Sequence, residues 1–510
     1  MSTFRGIDPD GLAGLGRELA RSAAAVLAAA NEVHAVLARH ERWGVADTLG
    51  SNLSRVARGI DDEASEMAWR SEAIRLGQSV TYAAMPSLVV ARMLWEEAEF
   101  AAVARFGIAD RGAAFEQWRS GPPIAGFTGR AVAEVVRRFA NLPSSAADRL
   151  LTEHPAVVGA LDGAPPALRV AANDMLIARE VSRLADHAAT LRDEIRQLEA
   201  GEWAGSTSRM LASLERDVYL ADLERAESRL AMFGRWLAED RQFLLFDPRG
   251  DGRVVEVFGD LARAGHVAVV VPGITNDIDN FSPLDGGGFR ANAEQLYHAA
   301  QELEPDVATI AWLGYDTPDG ADAMLRGAAD DGHRHLVAFV DALAAAKPRP
   351  HVAVVGHSYG SLVTGMAAGA GLAADDVVFV GSPGTSLDRA TAAAIERGGR
   401  VWAGLARKDP IGAGIEPAPD SVWEFMLGPI GSYAWDSVTT GDYAAEDLWH
   451  GRNPVHDSFD AIEFSTDGAT GHSQYFSKGT ESLANLARII AGLDFDVRLV
   501  GDRELEDITD

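Results

Sequence analysis

A mainly parallel α/β sheet, preceded by an all-α helical bundle, is the fold class this sequence predicts. Three observations carry it. The first 240 or so residues keep helical apolar spacing. After Arg241, short apolar runs alternate with amphipathic stretches and Gly/Pro turns. One of those runs, His351 to Val355, leads straight into Gly356-His357-Ser358-Tyr359-Gly360.

The helical part comes first. Leu12, Leu15, Leu19, Ala23, Val26, Val33 and Leu37 recur at the spacing of one helix face, and Leu53, Val56, Ile60, Ala64, Met67 and Ile74 repeat the pattern after a break near Trp43-Gly44. Pro86 interrupts, and Leu88 to Phe106 resumes. Gly121-Pro122-Pro123 and Gly163-Ala164-Pro165-Pro166 mark turns. Two long helices are expected at about Ala167–Ala200 and Ser206–Asp240, with acidic residues and arginines three and four apart on their polar faces. The organisation read from this is a helical hairpin or bundle over 1–110, a helical connector with the long pair over 111–240, and a catalytic α/β domain over 241–510.

Strands are expected at about Phe243–Phe246, Val254–Phe258, His266–Val271, Val307–Trp312, His351–Val355, Val377–Val380, Arg400–Leu405 and Ile462–Ser465. Helices are expected at Arg290–Leu303, Ala321–Ala346, Ser361–Ala370 and Ser386–Arg397. Continuously apolar strands alternating with helices belong to a parallel sheet covered on both faces. The first two strands have no helix between them, which predicts an antiparallel hairpin at one edge, turning at Asp251-Gly252.

Composition narrows the function classes. The 510 residues include no cysteine, which removes disulfides, thiolate metal sites and cysteine nucleophiles. The net charge is −29: residues 1–240 hold 27 basic and 34 acidic side chains, the remainder 19 and 41. Such an acidic chain is unsuited to nucleic acid or to an anionic lipid surface. The N-terminus lacks the apolar run of a signal peptide, and no apolar stretch reaches the roughly 20 residues of a membrane span. The expectation is a soluble protein of the cytoplasm, with export lacking a classical signal peptide as the alternative. No metal motif emerges, since His333 and His335 fall on different faces of a helix, and no dinucleotide fingerprint does either. No cofactor is expected.

The chemistry centres on Ser358. Gly-x-Ser-x-Gly between a strand and a helix is a nucleophile elbow, which exposes the serine hydroxyl on a tight turn. With 51 glycines in the chain, chance alone would yield on the order of a few tenths of such a pattern, so its flanks carry the weight. Gly356 and Gly360 are read as positions where a Cβ would strike the neighbouring strand or helix. A serine hydroxyl needs a histidine to take its proton and an acid to orient that histidine. In this arrangement the chain order is serine, acid, histidine. Asp409 follows the strand Arg400–Leu405 and is the candidate acid; Asp436, Asp442 and Asp447 are alternatives, and Asp376 lies before its strand, on the wrong side. His472, after the last strand and between flexible glycine-bearing turns, is the candidate base; His450 and His456 precede that strand. His357 is expected to point away. Two backbone N–H groups should form an oxyanion hole: Tyr359, next to the nucleophile, and Ile274, on the loop Pro272-Gly273-Ile274-Thr275-Asn276 after a strand. Asn276, Asp277 and Asp279 are placed at the mouth or on an exposed loop.

Several motifs resemble, in order, an actinobacterial α/β-hydrolase family catalogued as domain of unknown function 1023. They are His154-Pro155-Ala156-Val157-Val158-Gly159-Ala160-Leu161-Asp162-Gly163, Arg169-Val170-Ala171-Ala172-Asn173, Val269-Val270-Val271-Pro272-Gly273, the elbow with Ser361, Val380-Gly381-Ser382-Pro383-Gly384, His450-Gly451 with Pro454, and Gly471-His472-Ser473-Gln474-Tyr475-Phe476. The resemblance runs from about residue 150 to 480. It implies an α/β-hydrolase-type sheet with a cutinase- or lipase-like core and Ser358, Asp409 and His472 at the triad positions. The function expected is hydrolysis of a small acyl-ester or lipid-like substrate, with a peptidase or amidase using the same triad as an alternative. The N-terminal helices also resemble the hairpins of small WXG-type proteins exported by type VII secretion, and Trp203-Ala204-Gly205 fits the Trp-x-Gly turn. That likeness implies a helical secretion partner and offers a second reading, an interaction protein with an inactive or passenger hydrolase core.

Overall fold

The structure is a computed structural model. It describes residues 129–201, 206–284, 287–345, 348–392, 399–409, 411 and 447–501, all within the unit Gly126–Asp510. The hairpins expected over 1–110 and the Trp203-Ala204-Gly205 turn lie outside the described residues.

Eight strands form one sheet. They are β1 (Gln242–Asp247), β2 (Arg253–Phe258), β3 (His266–Val271), β4 (Val307–Leu313), β5 (His351–His357), β6 (Asp376–Val380), β7 (Arg400–Gly404) and, as the last of the sheet, β10 (Ile462–Glu463). Their spatial order is β1-β2-β4-β3-β5-β6-β7-β10. From β4 through β10 every pairing is parallel, while β1 pairs antiparallel with β2 and β2 with β4. The expected edge hairpin is therefore present, with a five-residue connection whose left-handed residues are Gly250 and Gly252. Strands β8 (Asp447–Leu448) and β9 (Gly451–Arg452) make a small separate ribbon.

The central strands are apolar on both faces because both faces are covered. Val267 to Val271 in β3 are wholly buried, and each such valine contributes about 1.5–3 kcal/mol of transfer free energy. Helices α6 (Gly288–Gln301), α7 (Gly327–Ala344), α8 (Tyr359–Gly369) and α9 (Glu481–Ile490) supply the cover. α7 packs on α8, and α6 on β4 and α9. Ahead of the sheet come α1 (Gly129–Asn141), α2 (Ser144–Glu153), α3 (Pro155–Ala160), α4 (Pro166–Ala200) and α5 (Ser206–Ala238).

The long pair α4 and α5 is joined across by His187–Asp222 and Arg192–Glu227, and its base is welded to β1. The β1–β2 register slips between Phe243 and Leu245. The carbonyls of Phe243 and Leu244 at that slip accept bonds from Asn173 Nδ2 at 2.9 Å and Arg169 Nε at 3.0 Å. Arg169 also pairs with Asp162 at 3.0 Å and reaches the Gly159 carbonyl. From α5, Trp236 lies 4.8 Å from the Phe243 ring and Phe233 meets Phe246 edge-on at 5.2 Å. The motif residues His154–Gly163 and Arg169–Asn173 thus include the latch between helices and sheet edge.

Two expected helices differ. The stretch Ala321–Ala346 becomes a 3-10 turn, Gly320–Met324, and then α7 from Gly327. The carbonyls of Ala323 and Leu325 are taken by His450 Nε2 and the Tyr359 hydroxyl, so this backbone is held out of the helix. The stretch Ser386–Arg397 does not begin as a helix either. Ser386 has φ 61 and donates its N–H to the His450 carbonyl at 2.8 Å; a short turn, Ala390–Ala392, follows. Residues 393–398 lie outside the described ones.

Candidate active site

The site is built at the C-terminal ends of β3, β5, β6 and β7, where open parallel sheets leave loops free to converge. β5 ends at His357 and α8 starts at Tyr359, so Ser358 alone makes the turn. Its backbone sits at φ 56, ψ −131, a region a non-glycine residue enters only under restraint. The restraints are visible. The Ser358 N–H donates to the Val380 carbonyl at 3.0 Å, its carbonyl accepts the Ser361 N–H at 2.8 Å, and Ser361 Oγ donates to the Gly356 carbonyl at 2.9 Å. A Cβ on Gly356 would meet the Gly360 carbonyl and Thr364 Oγ1, both at 2.7 Å; one on Gly360 would meet the Val271 carbonyl at 2.4 Å and the Pro272 carbonyl at 2.5 Å. Both glycines serve close approach of helix and strand, not positive φ.

The loop after β3 faces this turn. A Cβ on Gly273 would lie 2.7 Å from Ser358 Cβ and 3.0 Å from its Oγ. The left-handed residue of the loop is Thr275, at φ 57, so Gly273 is needed for proximity instead. The loop is braced throughout. The Tyr315 hydroxyl donates to the Pro272 carbonyl at 2.8 Å, Asn276 N donates to Thr317 Oγ1 at 2.9 Å, and Asn276 Nδ2 donates to the Ile274 carbonyl at 2.8 Å. Ile274 follows Gly273 directly, and Tyr359 opens α8, where helical N–H groups have no partner within the helix. Asp279 is tied to Arg229 of α5, and Asp277 exchanges loop bonds with Asn280.

Asp409 and His472 are brought together. His472 Nδ1 lies 3.1 and 3.0 Å from the two Asp409 carboxylate oxygens. A carboxylate accepts only, so Nδ1 carries the proton and Nε2 of the neutral ring is left as the acceptor. Asp409 is buried. Burial pushes its carboxyl upward, but His472, the Tyr475 hydroxyl and the Ile411 N–H together hold it below its ordinary value. For His472, burial disfavours the imidazolium, and the Asp409 charge and hydrogen bond outweigh it, so its pKa is raised. β7 ends at Gly404 and not at Leu405, and Asp409 stands on the turn beyond, its N–H donated to the Ala406 carbonyl at 3.0 Å.

The pair lies close to the turn that carries Ser358. Gly381, one residue past the carbonyl that holds Ser358, would with a Cβ meet Asp409 Oδ2 at 2.8 Å and His472 Cε1 at 3.1 Å. The other histidines are committed elsewhere. His450 Nε2 bonds the Ala323 carbonyl, and His456 Nδ1 accepts the Ser458 N–H at the start of a short turn. Asp376 opens β6, where it accepts from Trp402 Nε1 and pairs with His351, at the opposite end of the strands. Asp447 opens β8; Asp436 and Asp442 lie outside the described residues.

One residue has no assigned role in the sequence reading, and one reading needs correction. Tyr475 donates to Asp409 Oδ2 at 2.5 Å and accepts the Ala406 N–H at 2.9 Å. Its place three residues after His472 was the one available signal. His357 does not point away: its Nε2 lies 2.8 Å from the His472 carbonyl.

Comparison with known proteins agrees with this architecture. Residues 247–417 match the family model described as alpha/beta hydrolase. The uncharacterized protein Rv2079 of Mycobacterium tuberculosis is 30% identical over 397 residues, covering 71% of this chain and 56% of that protein. The uncharacterized protein Mb0988c of Mycobacterium bovis is 36% identical over 189 residues, covering 35% of this chain and 69% of that protein. The chain thus spans just over half the length of the first of these relatives. A solved structure from Xanthomonas campestris, described as an a/b serine hydrolase without a lid, aligns at 18% identity over 38% of this chain and 77% of that one, with a TM-score of 0.22. Among the described residues no helix is long and apolar enough to cross a membrane. The chain therefore belongs to the family of these uncharacterized mycobacterial proteins, and residues 247–417 are its alpha/beta hydrolase match.

Proposed function

We propose that this chain is a serine hydrolase of carboxylic esters, with Ser358 as nucleophile, His472 as general base and acid, and Asp409 as the residue that orients His472. The observation that carries this reading is the Asp409–His472 pair held over Gly381, one residue from the carbonyl that fixes Ser358. In the acylation step Ser358 Oγ attacks the acyl carbon and its proton passes to His472 Nε2. The tetrahedral oxyanion is met by the Tyr359 and Ile274 N–H groups, and the alcohol leaves with the proton that His472 returns. Water, deprotonated by His472, then cleaves the acyl-serine. The substrate class proposed is a small acyl ester or lipid-like ester, and no step calls on a cofactor.

A fluorophosphonate probe tests the reading, because it phosphonylates a serine only when an adjacent base activates it. The full chain should be labelled at Ser358, and Ser358→Ala should not be. Folded protein that resists labelling, or equal labelling of Ser358→Ala, overturns the assignment. p-Nitrophenyl esters of graded acyl length, run beside the matching anilides, then separate ester from amide cleavage. Faster turnover of the anilides would replace the esterase reading with an amidase.

A further inference from the structure

We infer that His357, the residue before the nucleophile, is a positioning residue: its imidazole clamps the loop that carries His472 to the turn that carries Ser358. The inference rests on the serine-hydrolase reading above and deepens it.

The geometry makes the clamp specific. His357 Nε2 is 2.8 Å from the His472 carbonyl oxygen. A carbonyl has only lone pairs to offer, so Nε2 must carry the hydrogen and donate it. The His357 ring lies 4.8 Å from the His472 ring at an interplanar angle of 34°, 5.6 Å from Tyr475, and meets Phe476 edge-on at 6.2 Å. It therefore touches three members of the segment His472–Phe476, which begins with the candidate base. Its own backbone is fixed, because His357 closes β5 and pairs with Val380 of β6. The clamp thus transmits the position of the rigid sheet to a loop whose residues Gly468 and Gly471 would otherwise give it freedom.

The clamp also suits its electrostatic setting. The titratable groups facing His357 are His472 and Tyr475 on the loop and Asp409 behind them. Burial first, and then the neighbouring His472, push the His357 pKa down to about 4. The ring stays neutral through the range in which His472 takes up its proton. A second cation beside the imidazolium is avoided, and the donor to the carbonyl is kept at every working pH.

Two substitutions separate the donor from the ring. His357→Gln keeps an N–H that can reach the carbonyl and removes the aromatic ring. His357→Phe keeps the ring and removes the donor. The readout is the second-order rate of fluorophosphonate labelling in the full chain as a function of pH. His357→Phe should label about tenfold more slowly than the parent, the scale of one ordinary hydrogen bond. Its acid limb should move to lower pH, because a looser His472 gains less from Asp409. His357→Gln should stay within about threefold of the parent with its acid limb unmoved, since the hydrogen bond that sets that scale is kept. The clamp is overturned if His357→Phe labels like the parent, or if His357→Gln falls as far as His357→Phe. If His357→Phe fails to fold by circular dichroism, the His357→Gln profile decides alone: a parent-like rate and limb support the clamp, and a slow or shifted one overturns it. An unlabelled parent chain strikes instead at the serine-hydrolase reading.

Discussion

The Tyr475 hydroxyl donates to Oδ2 of Asp409 at 2.5 Å while accepting the Ala406 N–H at 2.9 Å. A buried carboxylate with one imidazole partner would be expensive to keep charged. Here the phenol and the Ile411 N–H supply the further donors that hold it ionised. Tyr475→Phe removes this charge-assisted bond together with the acceptor of the Ala406 N–H, and leaves the ring in place. The expected loss of stability at neutral pH is about 1.5–3 kcal/mol. The sign with pH follows from the lowered folded-state pKa of Asp409. Its contribution is full above the ordinary carboxylate value and is lost as pH falls through the folded value. The deficit of Tyr475→Phe should accordingly shrink in acid. Urea unfolding at pH 7 and then in steps below about pH 3.9 reads this; a deficit that stays constant through that range would rule out Asp409 as the group being stabilised.

In the proposed mechanism the Asp409–His472 pair sets a pH dependence of reactivity. His472 must be neutral to accept the serine proton, and the adjacent carboxylate raises its pKa. The acid limb of Ser358 labelling should therefore have its midpoint above the ordinary imidazole value of about 6.5. Asp409→Asn should bring that midpoint to about 6.5 or lower and depress the plateau by about ten-thousandfold, as loss of the orienting acid does in comparable triads. A parent midpoint below about 6 would contradict the pairing.

Gly273 and Gly360 should separate function from folding. A Cβ on Gly273 would press on the Ser358 side chain at 2.7 and 3.0 Å, while one on Gly360 would strike backbone carbonyls at 2.4 and 2.5 Å. A rotamer change can move Ser358 Oγ but not its Cβ, so on the Gly273 side the loop itself must give, whereas Gly360 meets the backbone at the end of β3. Gly273→Ala should lower the thermal midpoint less than Gly360→Ala and lose at least about tenfold in labelling, as displacement of reacting groups does. Gly360→Ala should destabilise by about 3 kcal/mol or more, the range of steric and backbone conflicts in a core. Thermal melts of the two variants beside their labelling rates make the check. Equal destabilisation by both would remove Gly273 from the site.

The sheet was legible in the sequence because its central strands bury both faces and so read as unbroken apolar runs. His266–Val271 was placed to the residue, and the long helices to within two residues at either end. The elbow was legible because strand, turn and helix are consecutive in the chain and Gly356 answers to contacts within the helix that follows. What was not legible depends on distant partners. Ser386 leaves helical geometry for a bond to His450, 64 positions away, and the Leu325 carbonyl is claimed by Tyr359. β7 stops at Gly404, where a side chain would meet the Phe464 ring at 2.6 Å. The direction of His357 could not be read because chain adjacency at a sharp turn says nothing about where an imidazole goes. It is settled by a loop more than a hundred residues further on.

The latch at the sheet edge supplies the last test, away from the site. Arg169 and Asp162 are both buried, and their ion pair is surrounded by the carbonyls of Gly159 and Leu244. Burial pulls each partner toward its neutral form, raising the Asp162 pKa and lowering that of Arg169, with their mutual attraction as the opposing influence. Arg169→Met leaves the carboxyl without its cation, which should cost about 3–5 kcal/mol at neutral pH. With the folded-state pKa of Asp162 raised further, the folded protein holds a proton that the unfolded chain releases, so the deficit should grow as pH rises from about 4 to 8. Adding Asp162→Asn should abolish that slope and recover part of the loss, since no charge is then buried alone. Denaturant titrations of the parent, the single and the double variant across that range give the answer. A single variant whose deficit is flat with pH would mean that Arg169 holds the helix to β1 through the Gly159 and Leu244 carbonyls alone, with Asp162 a bystander.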